Sequence, residues 1–307
     1  MIKVGVDLGG TKIEAIVFGH SEEVLFRERV PTPADSYEEI LKAIEGLLHG
    51  ARDKVKAMKG IDMNLADADA VGIGVGTPGA LSHITGFIKN ANSTKLNGHP
   101  LDKDLARVFG RPVKLANDAN CLALSEAHDG AGAGAPVVFT AILGTGVGGG
   151  VVVNNYLING INSIGGEWGH SPLPQFFGSQ TIVDKPLKCY CGQSGCIETY
   201  LSGPGLAKDA GMGLPTIEVI AQMRLGNAIA KAAFERYVDR LARALATVIN
   251  LLDPDVIVLG GGVSQVSELY EQVPAVWGRY VFSDFVATRL LPSVHGDSSG
   301  VRGAAWL

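Results

Sequence analysis

The stretch CYCGQSGCIE, residues 189–198, brings Cys189, Cys191 and Cys196 into eight positions of a 307-residue chain that has four cysteines in all. Thiols this close can form a disulfide, run a redox cycle or hold a soft metal ion. The expected compartment narrows the choice. The opening MIKVGVDLGG has no basic leader followed by an apolar segment and a small-residue cleavage site, so no secretory signal is read. No apolar run reaches the roughly 18 residues that span a bilayer, so no membrane partner is expected. The expected location is cytoplasmic, where lasting disulfides are uncommon and clustered thiols more often hold metal. C-x-C-x4-C supplies three soft ligands, and a structural zinc takes four. Of the seven histidines, His170 in GEWGH is the nearest before the cysteines. Cys121 stands apart and reads as a small core residue.

Two carboxylates and two glycine turns are the other candidates. Asp118 follows a short strand, VKLA (113–116), and opens a helix, where its carboxylate can point into a cleft. It is either a general base or, with Asn117, a helix cap. Asp7 stands at the mouth of DLGGTK, where it could hold Mg²⁺ through water. GVGTPG (74–79) and GTGVGG (144–149) both match GxGxxG, but neither is followed by the helix that a dinucleotide site needs. GVDLGGTK (5–12) inverts the Lys-Thr order of a P-loop and runs into a strand. What remains is a hairpin with glycines at its tip, either a plain turn or a place where phosphate oxygens can approach backbone N–H groups. DLGGTK and GTGVGGG would be two such hairpins, one per domain. Lys12 reads equally as a phosphate contact or as a solvated strand lysine.

The elements that must position these groups follow from periodicity. KVGVDLGGTKIEAIVFG (3–19) reads as strand, tight turn, strand. SYEEILKAIEGLLHG (36–50) reads as a helix with a capping box at Ser36 and Glu39. VGIGV (71–75), VVFTAIL (137–143), GVVV (150–153) and VIVL (256–259) read as strands, and a helix follows Asn117-Asp118 to about residue 128. Residues 227–252 form a long helix with Phe234, Tyr237, Leu241, Leu245, Val248 and Leu252 inward, ended by Pro254. The strand and glycine-loop unit recurs, which predicts an α/β protein using a similar unit in each half. Hydrophobic content of 46%, charged content of 19% and a net charge of −5 suit a globular chain with no basic face, so no nucleic-acid partner is expected.

DLGGTK, ANDANCLALSEA, GTGVGGG, GEWGH, CYCGQSGCIE and DPDVIVLGGG occur in this order in the ROK sugar kinases, and the chain resembles that family from residue 2 to GDSSGVRGAAWL (296–307). The resemblance implies a two-domain actin/hexokinase-like (ribonuclease H-like) fold, with ATP and sugar in the interdomain cleft. It places an N-terminal domain at 1–117, with a C-terminal helix near 297–307 packing back on it, and a larger domain at 118–296 with the zinc loop. KNANSTKLNG (89–98), LDKDL (101–105) and GEWGHSPLP (166–174) look closest to the manno(fructo)kinase branch. The implied reaction is ATP-dependent phosphorylation of a hexose, with D-fructose as the leading substrate. N-acetylglucosamine kinase and glucokinase/mannokinase are the alternatives, and a catalytically silent sugar-binding regulator is the reading from another class. The family pattern makes Asp118 the base and places Glu167, His170, Glu198 and Asn117 on the sugar, with Gly79 and Asn92 at its rim. It lays ATP along Gly9, Gly10, Thr11, Lys12, Gly144, Thr145, Gly146 and Gly148, with Gly261 and Gly262 flanking the adenosine. It gives a structural Zn²⁺ to His170, Cys189, Cys191 and Cys196. It also implies Mg²⁺ and a homodimer. Discrimination among hexoses is expected from 80–98 and 155–175.

Overall fold

The computed structural model describes residues 1–91, 93–175, 185–296 and 299–307. The chain forms two compact units. One is Met1–His128 with Asn159–Ile164 and Asp297–Leu307, and the other is Asp129–Ile158 with Gly165–Gly296.

In the first unit, β1 (Ile2–Leu8), β2 (Lys12–Phe18) and β3 (Val24–Pro31) form an antiparallel meander. Next come α1 (Tyr37–Lys59), β4 (Val71–Thr77), the small hairpin β5 (Ala80–Leu81) and β6 (Ile88–Lys89), α2 (Leu101–Phe109), β7 (Lys114–Asn117) and α3 (Asp118–His128). The sheet order is β3-β2-β1-β4-β7, with β4 parallel to both β1 and β7. Ser36 caps α1 by accepting the Glu39 N–H, while the Glu39 carboxylate goes forward to Lys42 instead of back to the cap. The helix runs past the expected residue 50 because Ala51 and Val55 continue its buried stripe, and it ends at Gly60 in the left-handed region.

The second unit repeats the plan. β8 (Val137–Leu143), β9 (Val147–Val153) and β10 (Tyr156–Leu157) make the meander. After α4 (Glu198–Leu201), α5 (Gly203–Ala210), α6 (Thr216–Arg224) and α7 (Ala228–Leu252) come β11 (Val256–Gly260), α8 (Leu269–Trp277) and β12 (Arg289–Pro292). The order is β10-β9-β8-β11-β12, with β11 parallel to β8 and β12. The Asn227 side chain caps α7 by accepting the N–H groups of Ile229 and Ala230. Phe234, Tyr237, Leu241, Leu245 and Val248 are buried, whereas Leu252, expected inward, ends the helix 37% exposed. β9 starts three residues earlier than expected, so Val147, Gly148 and Gly149 are strand residues as well.

The chain returns to the first unit with α9 (Ser299–Ala305), which packs on β1, β4 and α3. A Cβ on Gly303 would run into the Cys121 carbonyl of α3, so the two helices meet backbone to backbone. This contact goes with the grouping of α3 into the first unit, whose first segment runs to His128. Among the described residues no helix is long and apolar enough to cross a membrane.

Candidate active site

The parallel strands of the first sheet end in polar groups. β7 ends at Asn117, and α3 begins at once with Asp118. The helix start needs a side-chain acceptor, and Asn117 provides it: its Oδ1 accepts the Asn120 N–H at 2.7 Å. Asp118 Oδ1 accepts the adjacent Ala119 N–H at 2.8 Å. Burial raises the Asp118 carboxyl above its usual range, against the lowering effect of the Ala119 and Asp118 N–H groups. Capping thus falls to Asn117, and Asp118 has the raised affinity for a proton that would suit a general base.

Asp7, one residue before the end of β1, pairs across the sheet with Glu14. Its carboxyl is pushed up to about 6, first by burial, then by the charges of Asp118 and Glu14. Glu14 is fully buried and held by Arg27 at 2.5 Å and Arg29 at 2.8 Å. The tip of this hairpin is closed by Gly9 N–H donating to the Lys12 carbonyl, and the Thr32 hydroxyl donates to the Gly9 carbonyl. Gly10 and Thr11 are left exposed at the tip, while Lys12 begins β2.

Beside Asn117 lies a pocket of about 80 Å³ whose polar wall is Thr77, Gly79, Asn117, Asn120, Asn159 and Ser163. Gly79 turns there with φ 75°. The segment 159–164 is fixed by a 2.6 Å hydrogen bond between Ser163 Oγ and His83 Nε2. Asn159 Oδ1 accepts from Asn120 Nδ2 at 3.1 Å. Asn120, Asn159 and Ser163 were not singled out from sequence. Asn120 alone had a signal, since it stands three positions after Asn117, where the N–H that a helix cap accepts is found. Asn92 lies outside the described residues.

In the second unit the tip of the β8–β9 hairpin is Gly144, Thr145 and Gly146, with Gly144 N–H donating to the Gly146 carbonyl and Thr145 exposed. Gly148 is not at that tip. Its carbonyl accepts the Trp168 indole N–H at 2.8 Å, and a Cβ on Gly149 would come within 2.7 Å of the Trp168 ring. The glycine run after 147 therefore lets GEWGH lie against bare backbone. Glu198 Oε2 accepts the Val147 N–H at 3.0 Å, tying the segment just after Cys196 to the hairpin. Gly261 and Gly262 follow β11 and are exposed.

Cys189, Cys191, Cys196 and His170 bring four ligand atoms within 4.8 Å of one another. Cys189 Sγ lies 3.7 Å from His170 Nδ1, and Cys191 and Cys196 sulfurs are 3.6 Å apart. Edges of this length are those of a tetrahedron with metal–sulfur bonds of about 2.3 Å, so the donor set fits zinc. Burial and the neighbouring thiols push Cys196 up to about 12, a penalty that a divalent cation would reverse. The other ring nitrogen of His170, Nε2, lies 3.1 Å from the Tyr190 hydroxyl. Sequence reasoning left that nitrogen open for substrate. Glu167, the residue before the short turn that carries His170, is exposed.

The model of the ROK family matches residues 3–307. An N-acetyl-D-glucosamine kinase of Pectobacterium atrosepticum is 39% identical over 308 residues, covering 99% of this chain and 97% of that protein. One from Escherichia coli O157:H7 is 40% identical, covering 99% and 98%. Among solved structures, a ROK hexokinase from Thermus thermophilus superposes with a TM-score of 0.85 at 32% identity, covering 99% and 97% of the two chains. A ROK glucokinase from Streptomyces griseus, in complex with glucose and AMPPNP, gives 0.70 at 28% identity, covering 99% and 98%.

Proposed function

The chain belongs to the ROK family, with the actin/hexokinase-like fold of its structural neighbours, and from that premise we propose that it is an ATP-dependent kinase of N-acetyl-D-glucosamine. The sugar rests on the relatives at 39% and 40% identity over the whole chain, which carry that name. Fructose, the leading sugar from the motif resemblance, has no support among them.

The kinase reading is carried by Asp118. Its carboxyl stands at the start of α3 with its proton affinity raised, and Asn117 relieves it of capping the helix. In the reaction Asp118 takes the proton of the attacking sugar hydroxyl as that oxygen accepts the γ-phosphoryl of ATP, and ADP leaves. Asn117 keeps its Nδ2 group to donate to the sugar. By the family resemblance, Glu167 and Glu198 would serve further sugar hydroxyls, and Gly10, Thr11, Gly144, Thr145, Gly261 and Gly262 the nucleotide. Asp7 is the group that would hold Mg²⁺, whose charge offsets that of the phosphates. His170, Cys189, Cys191 and Cys196 would hold a zinc ion that fixes the loop bearing Glu198.

ADP release from Mg-ATP with N-acetyl-D-glucosamine, glucose, mannose and fructose tests the assignment, with N-acetyl-D-glucosamine expected to give the highest kcat/KM. Asp118→Asn is expected to lose roughly 10²–10⁴-fold in kcat while still binding the sugar. Wild-type turnover in that variant would remove Asp118 as the base.

A further inference from the structure

We propose that the pocket beside Asn117 receives the acetamido group of a 2-acetamido sugar and that Asn120 is the residue that reads its N–H. The inference rests on the sugar-kinase reading and adds the basis of selectivity. The pocket measures about 80 Å³, several times the roughly 10–15 Å³ that admits one water. Its walls are of two kinds. Leu81, Ile88, Leu115 and Ala116 form an apolar side, and Asn120, Asn159 and Asn117 form an amide side.

The amide side has one acceptor and two donors to spare. Asn120 is 7% exposed, and its Oδ1 is buried with no hydrogen-bond partner. Its Nδ2 is spent on Asn159 Oδ1. The Nδ2 groups of Asn117 and Asn159 have no protein partner among the described residues, since only their oxygens are engaged. A buried acceptor without a donor is costly, and a ligand N–H relieves it. The wall is also held in a costly conformation: Ser163 has φ 51° and is pinned by His83, which keeps segment 159–164 over the pocket.

An acetamido group matches both walls. Its N–H meets Asn120 Oδ1, its carbonyl accepts from an asparagine Nδ2, and its methyl covers Leu81 and Ile88. A hydroxyl at the same carbon has no methyl for the apolar wall and only one heavy atom to span to the amides. A site built to pair a substrate N–H rejects the analogue that lacks it far more strongly than a purely apolar site does.

The test compares N-acetyl-D-glucosamine with glucose in wild type, Asn120→Ala and Leu81→Trp, by kcat/KM and by calorimetric binding without nucleotide. The wild type is expected to favour the acetamido sugar. Each variant is expected to cut that preference roughly tenfold or more, the size of one lost hydrogen bond or of a filled pocket. In the wild type, N-butyryl-glucosamine is expected to bind more weakly than the N-acetyl sugar. Equal loss for both sugars, or an unchanged ratio, would overturn the assignment, as would equal wild-type binding of both sugars, which would leave the pocket to water. If no sugar is turned over, the kinase reading fails, and the calorimetric ratio still decides the pocket.

Discussion

Asp7→Asn is expected to make the protein more stable at neutral and alkaline pH while abolishing Mg-ATP-dependent turnover. Asp7 sits in the first sheet opposite Glu14 and within the field of Asp118, and its carboxyl is raised from 3.8 to about 6. A raised acid means that the folded chain binds this proton more tightly than the unfolded chain. Above both values the folded state therefore bears the cost of an ionised, half-buried carboxylate, and the cost fades as pH falls through 6 towards 3.8. At 1.36 kcal/mol per pH unit, a shift of about two units gives a penalty of about 3 kcal/mol at pH 8. The same titration leaves about 1 kcal/mol at pH 4.5. Asparagine keeps the shape and removes the charge. Urea unfolding of wild type and variant at both pH values measures the difference directly, because titrations common to both proteins cancel. The variant should be more stable by up to about 3 kcal/mol at pH 8, with the advantage shrinking by about two-thirds at pH 4.5. A variant less stable than wild type at pH 8, or an advantage that does not change with pH, would refute the burial and charge argument. Loss of activity alongside the gain would show the carboxylate is kept ionised for a cation's sake.

Metal analysis is expected to find about one zinc per chain, and strong chelators should lower both the melting temperature and the activity; a fully active preparation without zinc would remove the site. Gly303→Ala drives a methyl into the Cys121 carbonyl of α3 and is expected to cost about 1–3 kcal/mol in urea unfolding, whereas wild-type stability would mean that α9 can shift away.

The strands and the long helices were legible because their apolar periods are local: β1, β2, β8 and α7 each declare themselves within about ten to twenty residues. The proximity of His170 to the three cysteines was legible in part for the same reason, since three of these four residues lie in one short loop. What sequence could not give was which neighbour a polar group would choose. Asn117 and Asp118 were both open as the helix cap, and it is Asn117 that accepts the Asn120 N–H. His170 Nε2 was assigned to substrate, but Tyr190 lies beside it, and nothing in the spacing CYC says which way that ring turns. The pocket wall at Asn159 and Ser163 comes from a segment that is separated by about 40 residues from Asn120 and has no periodic pattern. Its return to the first unit is a tertiary event.

The glycines show how far one motif can mislead. GTGVGGG invites a single explanation, a loop stripped of side chains so that phosphate can approach. The structure divides it. Gly144 and Gly146 make the turn, and Gly146 sits close to the Glu198 carboxylate, where a Cβ would come within 2.7 Å of Oε2. Gly149, inside β9, is bare for Trp168 and the Gly166 carbonyl. A side chain at 149 would push GEWGH off the sheet, and His170 and Glu167 with it, without touching a nucleotide. A kinetic defect at Gly149 would therefore appear in the sugar KM before the ATP KM, the reverse of what the phosphate-loop reading implies. The distinction follows from where the Cβ would fall.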